Sequence, residues 1–487
     1  MESSTANSVE MSVVNKKEND VKTQSGLSTE DLNKVEDSST IKKEDDTLPN
    51  NLPTGSSAGT GAELPPAKWE NPASFQGASF NSTVVNIINT VIGAGILSIA
   101  YSIRLAGVIG SILLILVILF PSLLTSYYLS CATVYTNEEV YGVVGTKLSN
   151  RVVGFLADIS NCLLYFGIDV AYMNVLFQQI VDIGREVFNQ GDFFDRYRTW
   201  ISLAVTIIIL LPLTSSKNMD ALKFSSAVAV VCVAIFVVAC IYLGIDGIMD
   251  RGWDLNLWPD TGSGLSTAFA VFILCFCSHV NTSKIVSELR YTSKSKFSNK
   301  VKKSVRATTV AYTVCALSYF FVGICGYMAF GNSIQGSILD SLGDRDVWFK
   351  PVIRVGYGLV VLFSYPILGF PAVCTIDAYI FKTDRTVLRR YVEGLIYTVV
   401  TWFLAINVPS LVDIFGVTGC LCGSLIVFIW PALYFIFMYR LERAKPVEMK
   451  CQWFKPKFYE YVIAWIILVV GAVVCVYTTY LEISKFF

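Results

Sequence analysis

The sequence predicts an all-α polytopic membrane protein with about eleven transmembrane helices arranged as two inverted five-helix repeats. Hydrophobic residues make up 53% of the chain and charged residues only 16%, whereas a soluble domain carries about a quarter charged residues. The apolar residues are gathered in runs long enough to cross about 30 Å of hydrocarbon. The first and sixth runs are interrupted, and the fourth and ninth are short. Pairs that lie five helices apart have opposite orientations, as in an inverted repeat.

Eleven apolar segments carry this prediction, and the count becomes ten or twelve if the short fourth or ninth segment is misread. They span Phe80–Tyr101, Gly107–Val134, Val152–Ile180, Trp200–Leu213, Ala221–Ile245, Gly264–Val286, Thr308–Phe330, Val352–Ile376, Tyr391–Ile406, Ile414–Tyr439 and Tyr459–Tyr480. Together they define a transmembrane domain over residues 77–487, for which the lipid bilayer is the expected surrounding.

Residues 1–76 form a separate polar region with no aromatic residue before Trp69. Such a composition buries too little apolar surface to offset the entropy of ordering, so we expect a disordered tail. Its serines and lysines leave open a regulatory role through phosphate, ubiquitin or regulatory partners that bind the tail. The first apolar segment begins too far along the chain for a cleavable signal peptide.

Basic residues predict the orientation. Loops on the side of the N-terminal tail hold twenty-two lysines and arginines, and loops on the opposite side hold nine. Cytoplasmic loops carry the excess of positive charge, so the tail is expected in the cytoplasm. With an odd number of helices, the C-terminus is then luminal or extracellular. Twelve of the thirteen cysteines fall in apolar segments, where thiols act as small packing groups, so we expect no structural disulfide.

The first segment contains Asn86-Ile-Ile-Asn-Thr-Val-Ile-Gly-Ala-Gly-Ile-Leu97. Gly93 and Gly95 favour an unwound stretch, and Gly93-Ala94-Gly95 exposes the backbone. Irregular backbone inside a bilayer survives only where it is buried in protein or lines a cavity. This break is therefore predicted to hold a small solute near the middle of the membrane.

The sixth segment changes from apolar to polar at Cys277-Ser278-His279. His279 is the only histidine of the chain, and its ring can donate, accept or take up a proton near neutral pH. A structural hydrogen bond and a binding or gating role both remain open for it.

The third segment carries Asp158, Cys162, Tyr165 and Asp169 at spacings of four, three and four residues, which places them on one helical face. A carboxylate inside the bilayer usually faces the bundle interior or a water path. Asp169 is thus a candidate for proton coupling, and Asp158 is a weaker one. The alternative is a buried hydrogen-bonded pair or, for Asp158, a position at the cytoplasmic interface.

Two further segments contain small or helix-breaking residues. In the eighth, Ser364 precedes Pro366, whose missing N–H frees a carbonyl one turn earlier. This pair suits either a small cation or a simple kink. In the tenth, Gly416, Gly419 and Gly423 lie on one face, as small residues do where helices pack closely.

No phosphate loop, zinc-spaced cysteine and histidine set or Ser/His/Asp arrangement stands out in the sequence. We therefore expect a protein that is not an enzyme, with no cofactor and no nucleic-acid partner. No metal is expected beyond a sodium ion.

These motifs resemble those of the amino acid/auxin permease family, which includes vacuolar amino acid transporters and sodium-coupled neutral amino acid transporters. The first-helix run quoted above is similar to the family's first-helix signature. Ser278-His-Val-Asn-Thr-Ser-Lys-Ile-Val-Ser-Glu-Leu-Arg290 resembles its broken sixth helix. Asp413-Ile-Phe-Gly-Val-Thr-Gly419 and Phe428-Ile-Trp-Pro-Ala-Leu-Tyr434 resemble its tenth helix.

The resemblance implies a leucine-transporter-like carrier that moves amino acids by alternating access, with neutral amino acids as the favoured substrates. It implies that the substrate is lined on one side by Ile92, Gly93, Ala94 and Gly95, and on the other by Cys277, Ser278 and His279. It further implies that Asn89 and Ser364 attend a sodium ion, while members on vacuoles and lysosomes commonly use protons.

Three functions are compatible with these features to different degrees. A secondary transporter driven by a proton or sodium gradient is favoured. An amino acid sensor of the same fold, signalling through its cytoplasmic tail, is the alternative. A membrane-embedded enzyme is disfavoured, because the polar groups do not converge on a catalytic set. Both a vacuolar or lysosomal location and a plasma-membrane location agree with the sequence.

Overall fold

The computed structural model describes residues 77–93, 95–188, 191–216, 223–252, 255–289, 297–381, 383, 385–408, 410–451 and 453–486. The predicted tail, residues 1–76, lies outside this part of the chain. The described elements are helical, apart from one isolated bridge between Ala78 and Leu289. All thirteen cysteines are free thiols.

The helices occupy the predicted apolar segments, with short helices in the loops. The α-helices are α1 (Phe80–Val91), α2 (Gly95–Ala106), α3 (Val108–Thr136), α4 (Tyr141–Leu148), α5 (Arg151–Val187), α6 (Gly191–Arg196), α7 (Arg198–Val205), α8 (Leu211–Thr214), α9 (Lys223–Arg251), α10 (Gly262–Cys275), α11 (His279–Glu288), α12 (Phe297–Phe330), α13 (Ile338–Ser341), α14 (Lys350–Ile380), α15 (Val387–Asn407), α16 (Leu411–Thr418), α17 (Trp430–Ala444) and α18 (Phe458–Ile483). Short π-helical stretches cover Thr206–Leu210, Gly419–Gly423 and Leu425–Ile429, and 3₁₀ turns cover Gly331–Ser333, Leu342–Asp344, Val447–Met449 and Ser484–Phe486.

Within the described residues, eight helical stretches are long and apolar enough to cross a membrane, and the bent pair α1 and α2 makes a ninth. The predicted fourth segment corresponds to a shorter apolar helix, Arg198–Thr214. The predicted ninth corresponds to α15, which carries Arg389, Arg390 and Glu393 in its first two turns. The total of eleven spans therefore stays a prediction, although each predicted segment is helical.

Both predicted interruptions are present. The first segment ends as a helix at Val91 and resumes at Gly95. The sixth ends at Cys275 and resumes at His279. By contrast, α14 runs through Pro366 and Pro371 as one continuous helix. A proline removes one backbone hydrogen bond and crowds the preceding turn, and membrane helices tolerate it where other groups satisfy the freed carbonyl.

The glycines of the tenth segment allow close helix approach, as predicted. A Cβ at Gly419 would lie 2.2 Å from the carbonyl oxygen of Ala270, and one at Gly423 would lie 2.6 Å from Ile273. Both contacts bring α10 against the π-helical stretch that follows α16. Gly416 instead faces the last helix, where a Cβ would lie 2.4 Å from a carboxylate oxygen of Glu482. The sequence pattern did not predict the π-helical turns themselves.

Candidate functional site

The two helix breaks border a pair of adjoining cavities. The larger has a volume of about 180 Å³. Its walls come from α1, the break after it, α5, α9, α11 and α14, and are formed by Ile88, Asn89, Thr90, Ile92, Gly93, Tyr172, Val233, Asn281, Val360, Phe363, Ser364, Ile367 and Leu368. A pocket for a drug-sized ligand usually exceeds 300 Å³, so this cavity suits a small solute.

The smaller cavity, of about 80 Å³, lies between the two breaks. It is lined by Thr90, Val91, Gly93, Gly95, Leu164, Tyr165, Ile168, Tyr172, Leu274, Cys275, Cys277, Val280, Asn281, Leu368 and Phe415. Among the described residues that line the two cavities, none carries a charged side chain. Their polar groups are hydroxyls, asparagine amides, thiols and backbone.

Most of the predicted site residues meet at these cavities. Ile92, Gly93 and Gly95 line them from the first break, and Cys277 lines the smaller one from the second. The predicted sodium pair, Asn89 and Ser364, lines the larger cavity from α1 and α14 respectively. The remaining residue of the first break, Ala94, lies outside the described residues.

Ser278 and His279 do not line either cavity, because their side chains are hydrogen-bonded elsewhere in the protein. The Ser278 hydroxyl is 2.7 Å from the Tyr312 hydroxyl on α12. Nε2 of His279 lies 3.0 Å from the Thr125 hydroxyl and 3.1 Å from the Ser126 hydroxyl, both on α3. His279 is fully buried, and its Nδ1 has no hydrogen-bond partner among the described residues.

The two carboxylates of the third segment have different surroundings. Asp158 accepts hydrogen bonds from the Gly142 backbone N–H at 3.0 Å and the Tyr379 hydroxyl at 2.8 Å. Asp169 is fully buried and accepts one hydrogen bond, from the Tyr397 hydroxyl at 2.8 Å. Its neighbour Ile168 lines the smaller cavity, whereas Asp169 itself lines neither.

Sequence reasoning missed several residues that shape the site. Tyr172 lines both cavities, and a Cβ at Gly93 would lie 3.0 Å from its hydroxyl oxygen. Asn281 also lines both cavities. The signals were present: Tyr172 follows Asp169 by three residues on a polar helical face, and Asn281 stands within the polar run of the sixth segment.

Three tyrosines satisfy backbone carbonyls at the breaks. Tyr319 on α12 donates to the Val91 carbonyl at 2.6 Å. Tyr357 on α14 donates to the Gly93 carbonyl at 3.3 Å. Tyr312 on α12 donates to the carbonyl of Phe276 at 2.8 Å. Unwound backbone inside a membrane needs such partners, because water is not available there.

The cavity walls offer complementary backbone charges. Gly95, the first residue of α2, lines the smaller cavity, so the positive N-terminal end of that helix meets it. Thr90 and Val91, at the C-terminal end of α1, also line it and bring the negative end of a second helix. A helix N-terminus favours a carboxylate, and helix carbonyls favour an ammonium group. The described residues contain no group of three or more His, Cys, Asp or Glu that could hold a metal ion.

Two broken helices around an uncharged cavity are features of the leucine-transporter-like fold. Comparison with solved structures agrees: the inward-facing conformation of Mhp1 superposes with a TM-score of 0.55 at 11% identity. That match covers 84% of this chain and 91% of Mhp1. The predicted fold class is thereby confirmed, while identity this low carries the fold alone.

The chain belongs to the transmembrane amino acid transporter protein family, whose signature matches residues 76–484. Vacuolar amino acid transporter 5 of Schizosaccharomyces pombe is 25% identical, with 77% of this chain and 89% of that protein covered. Sodium-coupled neutral amino acid symporter 2 of Danio rerio is 22% identical, with 78% of this chain and 80% of that protein covered. The protein is thus an integral multi-pass membrane protein of an amino acid transporter family. Its relatives are named as transporters, in agreement with the expectation that it is not an enzyme.

Proposed function

We propose that this protein is a secondary active transporter of neutral amino acids, which works by alternating access and is driven by a proton or sodium gradient. The observation that carries the proposal is the uncharged cavity between two broken helices. A zwitterion brings one carboxylate and one ammonium group, and the opposed helix ends at the breaks supply one partner for each.

The lining favours a substrate with a neutral side chain. A cationic or anionic side chain would need an opposite charge in the cavity, because burying an unpaired ion is expensive. The walls instead offer Ile88, Val360, Phe363 and Leu368 beside the Ser364 hydroxyl. Such a surface accepts apolar and small polar side chains.

Two arrangements support coupling to a cation. The amide of Asn89 and the hydroxyl of Ser364 line one cavity and provide the oxygen ligands that a hard cation prefers. Asp169 is a buried carboxylate beside the cavity, the kind of intramembrane group that relays protons. The first arrangement would serve sodium and the second a proton.

The charge distribution and the names of the relatives support the proposed orientation and location. The excess of basic residues on the side of the N-terminal tail supports a cytoplasmic N-terminus and a luminal or extracellular C-terminus. One relative is named vacuolar and another is named sodium-coupled. The first name supports a vacuolar or lysosomal location for this protein, and the plasma membrane is the alternative that the sequence leaves open.

The test is uptake of labelled L-alanine, L-leucine and L-glutamine into proteoliposomes that contain the full-length protein. Either a proton gradient or a sodium gradient is imposed, with L-lysine and L-glutamate as charged comparison substrates. We expect accumulation of a neutral amino acid above its external concentration under one gradient, and none with protein-free liposomes. Saturable binding without flux under either gradient would contradict the transporter and favour a sensor of the same fold.

A further inference from the structure

One helix hydrogen-bonds to both broken helices. Tyr312 and Tyr319 stand seven residues apart on α12, which places their side chains on one face about 10 Å apart along the axis. The Tyr312 hydroxyl donates to the Phe276 carbonyl in the break between α10 and α11. The Tyr319 hydroxyl donates to the Val91 carbonyl at the break between α1 and α2. Both tyrosines are fully buried.

A shared ring strengthens this connection. The Phe276 ring lies between the two tyrosines, with ring centroids 5.7 Å from Tyr312 and 5.9 Å from Tyr319. The Tyr312 hydroxyl has a second hydrogen-bond partner, the Ser278 hydroxyl at 2.7 Å. Because Tyr312 gives its only proton to Phe276, the proton between these two hydroxyls comes from Ser278. The tyrosine face of α12 therefore contacts both breaks and the ring between them.

We propose that Tyr312 and Tyr319 are positioning residues that hold the two breaks in register against α12, so that the two halves of the amino acid site form together. The inference rests on the proposed function, since it assigns the cavity to an amino acid. Neither tyrosine lines the cavities, so both act through the backbone at the breaks. The carbonyl that each one fixes sits within a few residues of the cavity wall at Gly93 or Cys277.

The physical reason is the conformational freedom of unwound backbone. Besides the tyrosine hydroxyls, the Val91 and Phe276 carbonyls each accept one turn hydrogen bond, from the backbone N–H two residues later. Such a short turn is less constrained once the tyrosine proton is removed, so more of the site must be ordered at each binding event. Loss of one such hydrogen bond corresponds to about a fivefold to tenfold weaker interaction. Both breaks are hydrogen-bonded to the same helix, α12. Loss of either hydrogen bond therefore disturbs the position of one break relative to the other, and loss of the second hydrogen bond adds little.

The experiment compares three hydroxyl deletions on α12 in the full-length protein. Tyr312→Phe and Tyr319→Phe each remove one contact with a break and keep the ring. Tyr327→Phe is the matched control: Tyr327 is equally buried on the same helix, but its hydroxyl bonds Asn256 and Asn332 away from the breaks. Uptake is measured with whichever of labelled L-alanine, L-leucine or L-glutamine the wild type accumulates most, and equilibrium binding is measured in detergent.

We expect Tyr312→Phe and Tyr319→Phe each to raise KM and Kd by about fivefold to tenfold, with the maximal rate per folded protein within about twofold of wild type. Tyr327→Phe should leave KM unchanged. The double variant should resemble the single ones, since coupled residues are not additive. A KM unchanged in both single variants overturns the positioning role, and a double variant whose effect is the product of the single effects overturns the shared register.

Two features keep the outcome interpretable. If the wild type itself shows no flux, the proposed function fails, while binding still reports on the tyrosines. Each single variant tests the positioning role separately. If one of them does not give folded protein, the other is still compared with the Tyr327→Phe control. A uniform loss of thermal stability without any change in KM would assign the two hydroxyls to stability alone and overturn the proposal.

Discussion

The hydroxyl of Tyr397 donates a 2.8 Å hydrogen bond to Oδ2 of Asp169 and so joins α15 to the buried carboxylate of α5. The other oxygen, Oδ1, has no hydrogen-bond partner among the described residues. Gly369 of α14 packs so closely that a Cβ there would lie 3.1 Å from Oδ2. Asp169 of α5 therefore lies against α14 and α15, and one of its two carboxylate oxygens is available to bind a proton.

If Asp169 carries the coupling proton, Asp169→Asn should abolish accumulation driven by a proton gradient, because an amide cannot take up and release that proton. Exchange of internal for external amino acid should persist, since exchange needs no net proton movement. Both are measured in proteoliposomes. Asp158→Asn is the control, because that carboxylate has two hydrogen-bond donors and should keep coupling. Proton-driven accumulation that survives in Asp169→Asn would remove this residue from the mechanism.

The first break and the end of α10 are in close contact at Gly95. A Cβ on Gly95 would lie 2.8 Å from Sγ of Cys275, with the next atom 4.0 Å away. Overpacking costs a packed protein about 1–3 kcal/mol of stability. Because Gly95 lines the smaller cavity, Gly95→Ala should also displace the cavity wall and weaken amino acid binding. The double variant Gly95→Ala with Cys275→Ala should recover most of the affinity, since it removes the clashing sulfur. Binding measured on purified protein checks both, and a double variant no better than Gly95→Ala would contradict a steric cause.

Asp340, in the short helix α13 between the seventh and eighth segments, predicts a pH dependence of stability. Burial raises its pKa from 3.8 to about 6; nearby Asp182 adds to this increase, while Arg354 and Arg198 oppose it. Between these values the folded protein binds more protons than the unfolded chain. Stability therefore falls as the pH rises from about 4 to about 6 and is level above that. The change corresponds to about 3 kcal/mol.

Asp340→Asn should remove this dependence, because an amide has no charge to bury. We expect the variant to be more stable than wild type at pH 7.5, with the difference gone at pH 4. Thermal unfolding of the purified protein at both values measures it. Asp346→Asn, an exposed position in the same loop, is the control and should change nothing. Equal stabilisation by Asp340→Asn at both pH values would argue against titration of this carboxylate.

A buried ion pair fixes the end of the last helix. Glu482, only 1% exposed, lies 2.6 Å from Nζ of Lys485 and accepts a 3.1 Å hydrogen bond from Thr267 on α10. Lys485→Ala should destabilise the protein, because it leaves a buried carboxylate without its counter-ion. The loss should be smaller than the about 3–5 kcal/mol of a fully buried pair, since the Lys485 side chain is 29% exposed. The double variant Lys485→Ala with Glu482→Gln should lose less. Thermal unfolding of both variants tests this, and a double variant less stable than the single one would contradict it.

Much of the fold could be predicted because its signals are local. Runs of apolar residues specify spanning helices, and Gly93 and Gly95 mark a break without reference to any neighbour. The π-helical turns at Gly419–Gly423 and Leu425–Ile429 were not predicted, because the apolar pattern of that segment does not distinguish a π-helical turn from an α-helical one. The fourth and ninth segments are helical but short or partly charged, so composition alone left their number open.

The candidate site was only partly predictable for the same reason. Asn89, Gly93, Cys277 and Ser364 were named from polar or flexible residues within apolar segments, and the structure brings them to one pair of cavities. His279 carried an equally strong local signal, yet its ring bonds α3 instead. Periodicity gives the face of a helix and not the partner opposite it.

The sequence by itself determined that this chain is a membrane protein with broken first and sixth helices, since hydrophobic length and glycine content are properties of single segments. Only the tertiary structure decided which side chains face the cavity and which ones support it. Tyr319 and Val91 are 228 residues apart along the chain, and no local pattern links them. At the break the Val91 carbonyl has lost its helical partner and accepts a turn hydrogen bond from the Gly93 N–H. Bilayer burial keeps water away from it, and the packing of α12 brings the Tyr319 hydroxyl to it as a second donor.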